Sequence, residues 1–182
     1  MKLTEDELCS AFAEAAKNSE TFTRWILLRT KFAGYASAVR LLHEEQLSIR
    51  PRKFWWRHWW CHIPELAKDR ETDIFMVFEI AGGEQRFALH IENKMDNGRF
   101  APGQAEAYRP RAAHMANKPE YLGYQDHQTI LLAPVSFMWK HPGSCTHFDA
   151  CLSYEDVASF VPQFRALQAR RSEGTGLSSA CS

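Results

Sequence analysis

Gly82-Gly83 stands between two runs, 73–80 and 86–95, that are rich in β-branched and aromatic residues. Adjacent glycines supply the positive φ angles that the centre of a tight hairpin requires, so the two runs are expected to pair antiparallel. With the glycines at the turn, Ala81 opposes Glu84, and counting outward sets Glu79 against Arg86 and Asp73 against Glu92. Side chains alternate along a strand. One face therefore pairs Ile74 with Ile91, Met76 with Leu89 and Phe78 with Phe87; it is apolar throughout and must face the core. The other face carries Asp73, Phe75, Val77 and Glu79 against Glu92, His90, Ala88 and Arg86, and is expected to be the wet side. There Glu79 and Arg86 form a cross-strand ion pair.

The hairpin has helical sequence on both sides. Thr4-Glu5-Asp6-Glu7 reads as a capping box, followed by Leu8, Phe12 and Ala15 at helical spacing. A second helix is expected over 20–32 and, after Gly34, a third carrying Ala38, Leu41, Leu42 and Leu47, closed by Pro51. Beyond the hairpin, Pro102 is placed to open a helix to about Ala116. A strand over 129–138 is bent or at an edge because of Pro134. A last strand over 148–152 leads into a helix capped by Ser153 and broken at Pro162. This order implies one mixed α/β domain over 1–171 with a central sheet, and a Ser/Gly-rich tail, 172–182, expected to be disordered.

At the open end of the hairpin the pairing becomes chemically unusual. Asp73 and Glu92 are expected about 5 Å apart, and like charges directly opposite destabilise a sheet. Lys94 follows on the same face. A divalent cation relieves the repulsion: two carboxylates, a backbone carbonyl and waters suit Mg²⁺, with Mn²⁺ as a substitute. The lysine can then deprotonate or position an attacking water, or stabilise negative charge in a transition state. The alternative is a surface salt-bridge cluster in which Lys94 neutralises both acids.

Asp73, the hairpin and Glu92-Asn93-Lys94 resemble the signature of the PD-(D/E)XK nuclease superfamily, with Thr72 where that signature commonly has proline. Gln104 and Tyr108, one helical turn apart, resemble the QxxxY motif of its RecB-type members. The resemblance implies a restriction-endonuclease-like αβββαβ core, here with an N-terminal helical region. It implies that Asp73 and Glu92 bind the metal with the main-chain carbonyl of Asn93, that Lys94 is catalytic, and that Gln104 and Tyr108 organise the site. It also implies a glutamate from an early helix. Glu20 is the first choice, with Glu14, Glu44, Glu45 and Glu65 as alternatives. The implied activity is metal-dependent hydrolysis of phosphodiester bonds in nucleic acid, DNA being the expected substrate. The alternative is a non-catalytic module of the same fold that binds nucleic acid or a protein partner.

Composition limits how substrate would be held. Lys plus Arg number 22, as do Asp plus Glu, so no net field draws the molecule to phosphate and attraction must come from patches. Arg99, Arg109 and Arg111 gather around Gln104 and are candidates for phosphate contact, against a solvated helix face. Trp56 and Arg57, within Phe54-Trp55-Trp56-Arg57-His58-Trp59-Trp60, are candidates for base stacking, against burial in the core. Arg50, Arg52 and Lys53 extend that segment's positive charge. Cys61-His62 and Cys145-Thr146-His147 with Cys151 match no compact zinc module, and His90 is expected to be a packed histidine.

Five scattered cysteines, an acidic N-terminus and the absence of any apolar run of roughly 18 residues suggest a cytoplasmic protein in a reducing compartment. No membrane partner is expected. A homodimer or a protein partner is left open.

Overall fold

Thr4 behaves as its sequence context dictates. Its side chain accepts the Glu7 N–H while the Glu7 carboxylate takes the Thr4 N–H at 2.7 Å, completing a capping box. A computed structural model describes residues 3–49, 54–63, 68–83, 85–165 and 167. In chain order its main elements are α1 (Glu5–Asn18), α2 (Glu20–Leu27), β1 (Val39–Leu41), α3 (His43–Ile49), β2 (Trp59–Ile63), β3 (Lys68–Thr72), β4 (Ile74–Ile80), β5 (Arg86–Asn93), α4 (Tyr108–Met115), β6 (Asp126–Ala133), α5 (Val135–Lys140), α6 (Pro142–Cys145), β7 (Ala150–Ser153) and α7 (Tyr154–Val157). The molecule is mixed α/β. Its five-stranded sheet has the order β1-β4-β5-β6-β7, antiparallel across the first three strands and parallel from β5 to β7.

The expected hairpin register holds over the described residues: Glu79 opposes Arg86 and Ile74 opposes Ile91. Gly82 and Gly83 have φ angles of 110° and 78°, the left-handed region that a side chain would make costly. Glu84 lies outside the described residues. Ile74, Met76, Phe78, Phe87, Leu89 and Ile91 join one core with Phe12 and Phe22 from α1 and α2 and Tyr154 and Val157 from α7.

The opposite face corrects the expectation of a wet side. Phe75, Val77, Ala88, His90 and Glu92 are all fully buried. The antiparallel pair β2–β3, with Trp59 opposite Thr72, forms a separate two-stranded sheet. Trp59, Cys61 and Ile63 from β2 pack with Phe75, Val77, Ala88 and, from α4, Met115. The alternation in β2, with Trp59, Cys61 and Ile63 inside and Trp60 and His62 outside, is a strand signal hidden within an aromatic run.

Other boundaries moved for local reasons. α2 stops at Leu27, where the Thr30 hydroxyl donates to the Leu27 carbonyl at 2.7 Å and accepts the Phe32 N–H, offering the backbone an alternative to helix. The third helical segment is split. Val39–Leu41 pairs with the edge of β4, where Arg40 reaches Glu79 at 2.8 Å, and helix resumes only at His43. Pro134 ends β6 and caps α5, so 135–138 is helical and not strand. Residues 102–107 form turns, and α4 starts at Tyr108. Ser153 caps α7 as expected, though that helix already ends at Val157. Pro51 and the tail 172–182 lie outside the described residues. Among the described residues, no helix is long and apolar enough to cross a membrane.

Candidate active site

Asp73 occupies the bend where the chain leaves β3 and enters β4, passing from the small sheet to the large one. Its Oδ2 accepts the main-chain N–H of Asn93 at 2.9 Å. Burial and the nearby Glu92 carboxylate push the Asp73 carboxyl well above its ordinary range, against the Asn93 N–H and the Lys94 ammonium, which pull it down. The hairpin thus brings Asp73 and Glu92 within mutual repulsion, as its register requires.

Glu92 is the hub. Its side chain is fully buried, and each oxygen has a donor: Lys94 Nζ at 2.5 Å and Gln104 Nε2 at 2.6 Å on Oε1, and the Tyr108 hydroxyl on Oε2. A buried carboxylate is costly unless paired and hydrogen-bonded, and these three donors satisfy it. Gln104 and Tyr108 reach it from different backbone, the first from a turn and the second from the first turn of α4. The expectation that both ride one helix is corrected, while their convergence on one group is observed. Gln104 Oε1 also accepts the Ala101 N–H at 3.0 Å, so the amide is held at both ends. Lys94 is held above its ordinary range: burial lowers it, and Glu92 and Asp73 more than restore it. An ammonium so paired serves better as a fixed positive charge than as a base.

Asn93 divides its groups between the two sides of the strand. Its side chain points away from the acids, donating to the Glu5 carbonyl at 3.2 Å and accepting the Tyr154 hydroxyl at 2.7 Å, which clasps α1 and α7 to the end of β5. Its N–H meets Asp73, and in extended chain the carbonyl of a residue leaves toward the same neighbour as its N–H. The Asn93 carbonyl therefore lies on the Asp73 side.

The early-helix glutamate is the principal correction among the site residues. Glu20 is exposed at the start of α2, and no hydrogen bond or ion pair joins it to the site among the described residues. Glu5, in the first turn of α1, sits there instead. Burial raises its carboxyl most, Lys94 lowers it, Glu92 raises it, and the Met95 N–H donates to it. Sequence reading assigned Glu5 wholly to helix capping. Only the docking of α1 across the end of β5 reveals its second neighbourhood. Of the alternatives, Glu14 takes the Trp55 indole N–H at 3.2 Å and Glu45 pairs with Arg40 at 3.0 Å. Glu65 lies outside the described residues.

The contact candidates are scattered. Trp56 is 2% exposed against Phe54 and unavailable to a base. Arg111, 1% exposed, holds its guanidinium carbon 4.0 Å over the Tyr108 ring, with Nε and Nη2 unpartnered, so it is no surface phosphate contact. Arg57 pairs with Asp6 at 2.8 Å and Arg109 with Asp149 at 2.7 Å. Arg99 is exposed in the loop between β5 and α4. Arg50, Arg52 and Lys53 lie outside the described residues. His90 is fully buried beside Phe75 and Tyr124, a packed histidine as expected.

Among the described residues, no group of three or more His, Cys, Asp or Glu side chains is arranged to hold a metal. Mg²⁺ asks less of the protein, binding through one or two carboxylates and keeping several waters. Asp73, Glu92 and the Asn93 carbonyl are all hard oxygen donors on one side of the strand end, and the repulsion between the acids is what a divalent cation relieves. In donor chemistry the residues fit such an ion.

Compared with family models, with curated proteins and with solved structures, the chain matches none of them.

Proposed function

We propose that this chain is a metal-dependent nuclease of the PD-(D/E)XK type, hydrolysing phosphodiester bonds of nucleic acid, with DNA as the expected substrate. The observation that carries the reading is the convergence of two separate sequence motifs on one buried carboxylate. Lys94 from the first and Gln104 and Tyr108 from the second all donate to Glu92, beside Asp73. The order of helix, three antiparallel strands, helix and parallel strand, in α1, β1, β4, β5, α4 and β6, supports a restriction-endonuclease-like core.

Asp73, Glu92 and the Asn93 carbonyl would hold Mg²⁺ or Mn²⁺, which when bound supplies water activation and neutralises phosphate charge. Tyr108 and Gln104 fix the rotamer of Glu92. Lys94 places a positive charge where an attacked phosphate accumulates negative charge. Glu5 completes the acidic rim. The test is cleavage of plasmid, linear and single-stranded DNA in Mg²⁺ by the parent chain, Asp73→Ala and Lys94→Ala. Loss of cleavage in both variants with an unchanged circular dichroism spectrum is expected. Undiminished cleavage by both sinks the assignment.

One observation favours a second reading. Glu92 is already fully satisfied by Lys94, Gln104 and Tyr108, as in a closed structural ion cluster, which suits a non-catalytic module that binds nucleic acid or a protein. Calorimetric titration with Mn²⁺ separates the two: the nuclease reading requires binding that Asp73→Ala removes.

A further inference from the structure

The aromatic segment over 54–60 attracts attention in the sequence, yet Trp55, Trp56 and Trp59 are buried at 5%, 2% and 0% exposure. Trp60 of that segment is 45% exposed, and the most open tryptophan lies elsewhere. Trp139 in α5 is 83% exposed, the most of the large hydrophobic side chains, and no ring stacks on it among the described residues.

Its position is set by the candidate site. α5 begins where β6 ends, and β6 is the parallel neighbour of β5, with Leu132 opposite Asn93 and its carbonyl taking the Lys94 N–H at 2.9 Å. On the inner side of α5, Phe137 is fully buried against Phe100 at 5.7 Å between ring centroids. The Phe100 ring in turn lies 5.4 Å from Lys94 Nζ. Ser136 and Lys140 both bond Asp96, two residues beyond Lys94. Residues three and four apart share a helix face, so Trp139 stands along the edge that these anchors tie to the strand end. It is an open indole on a helix braced against the catalytic lysine's own loop.

We propose that Trp139 is a stacking platform for an unpaired base flanking the cut, and that the substrate is therefore single-stranded or frayed nucleic acid. This rests on the nuclease reading of the site. A base is the favoured occupant because the indole is isolated. Of the other apolar side chains near it, Phe137 is buried and Met138 packs against the same inner cluster, while Ser136 and Lys140 are held by Asp96. Among the described residues Trp139 is the one exposed large apolar side chain of α5, whereas a protein interface centres on a contiguous apolar patch. An unpaired base presents a flat π-face to one ring and keeps its charged backbone in water. Base pairs inside a duplex offer no such face, which is left only at its two ends, so duplex gains little from the indole.

Fluorescence anisotropy tests the idea, using a labelled oligothymidylate and a blunt duplex of equal length in EDTA, with the parent chain, Trp139→Ala and Trp139→Phe. The alanine variant is expected to bind the oligothymidylate roughly five- to hundredfold more weakly, the loss of one stacked base. Phenylalanine should restore most of that affinity, and duplex affinity should stay unchanged. Equal binding of the single strand by parent and alanine variant overturns the proposal, as does an equal loss on duplex. Sedimentation in parallel detects the rival occupant: a parent dimer that Trp139→Ala dissociates, with strand binding unaltered, assigns the indole to a second copy of the chain. If the parent still cleaves in Mg²⁺ while the variant is indifferent, the nuclease reading survives and the stacking role falls. A parent that neither binds nor cleaves any nucleic acid overturns both.

Discussion

Asp73 Oδ2 accepts the main-chain N–H of Asn93 at 2.9 Å, which ties the first acid of the hairpin to the backbone between Glu92 and Lys94. A side chain so held cannot turn away from Glu92 to escape its charge. Repulsion between the two acids is therefore built into the fold.

Asp73→Asn keeps an oxygen to accept that hydrogen bond and removes the charge. A carboxyl whose folded-state pKa is raised costs the fold stability progressively as pH climbs from the ordinary carboxylate range to that raised value, and the full penalty stands above it. At neutral pH and without metal, the asparagine variant should therefore melt higher than the parent, by roughly 2–6 °C for about 1–2 kcal/mol. Mg²⁺ should raise the parent's melting temperature and leave the variant's unchanged. A variant that melts lower than the parent in EDTA contradicts the account.

Glu5 and Glu20 make opposite predictions. Glu5→Gln should weaken Mn²⁺ binding, read by calorimetry, because it removes one of three acids around Lys94. Glu20→Gln, on an exposed helix start, should bind Mn²⁺ as the parent does. The reverse pattern returns the role to Glu20.

Arg111 is a buried cation with Nε and Nη2 unpartnered, compensated by the face of Tyr108. Keeping an unpaired charge out of water costs several kcal/mol, against roughly 2 kcal/mol recovered by a desolvated cation–π contact. Arg111→Met should melt no lower than the parent. A clear drop in thermal denaturation shows that the guanidinium has an anionic partner in solution.

His90 and His127 predict how stability depends on pH. Burial depresses both, and the neighbouring Arg111 and Lys31 respectively depress them further, with Asp126 and Asp149 acting the other way on His127. Tyr124 and Thr72 also face His90. Each imidazole takes a proton more readily when unfolded, so stability present above the ordinary histidine range near 6.5 should fall as pH drops below it. The slope is at most about 1.4 kcal/mol per pH unit for the fully buried His90 and smaller for His127, which solvent screens. Urea melts between pH 7.5 and 5.5 measure this, and His127→Gln should flatten the dependence.

Much of the site was legible before any coordinates. The diglycine turn and strict alternation along its arms determine which residues oppose each other, because strand register depends on local geometry and on the period of two. That local information placed Asp73, Glu92 and Lys94 together and paired Glu79 with Arg86. Ser153 and Thr4 cap their helices by contacts within three residues. Gln104 and Tyr108 sit on a turn and a helix where one helix is expected; only the resemblance to a known motif links them to the site in sequence, and their meeting on Glu92 is a tertiary contact.

Other features depended on segments far apart in the chain, and no local period records such contacts. The second face of the hairpin was read as wet because Asp73, Glu79, Glu92 and Arg86 mark it with charge, while burial of Phe75, Val77 and His90 depends on where β2 and β3 fold over it. Glu5 became part of the site only because Asn93 clasps α1. Trp55, Trp56 and Trp59 went inside while Trp60 and Trp139 stayed out because packing follows which surfaces meet. From sequence alone came the pairing of the acids; from tertiary structure came their desolvation, which makes that pairing costly.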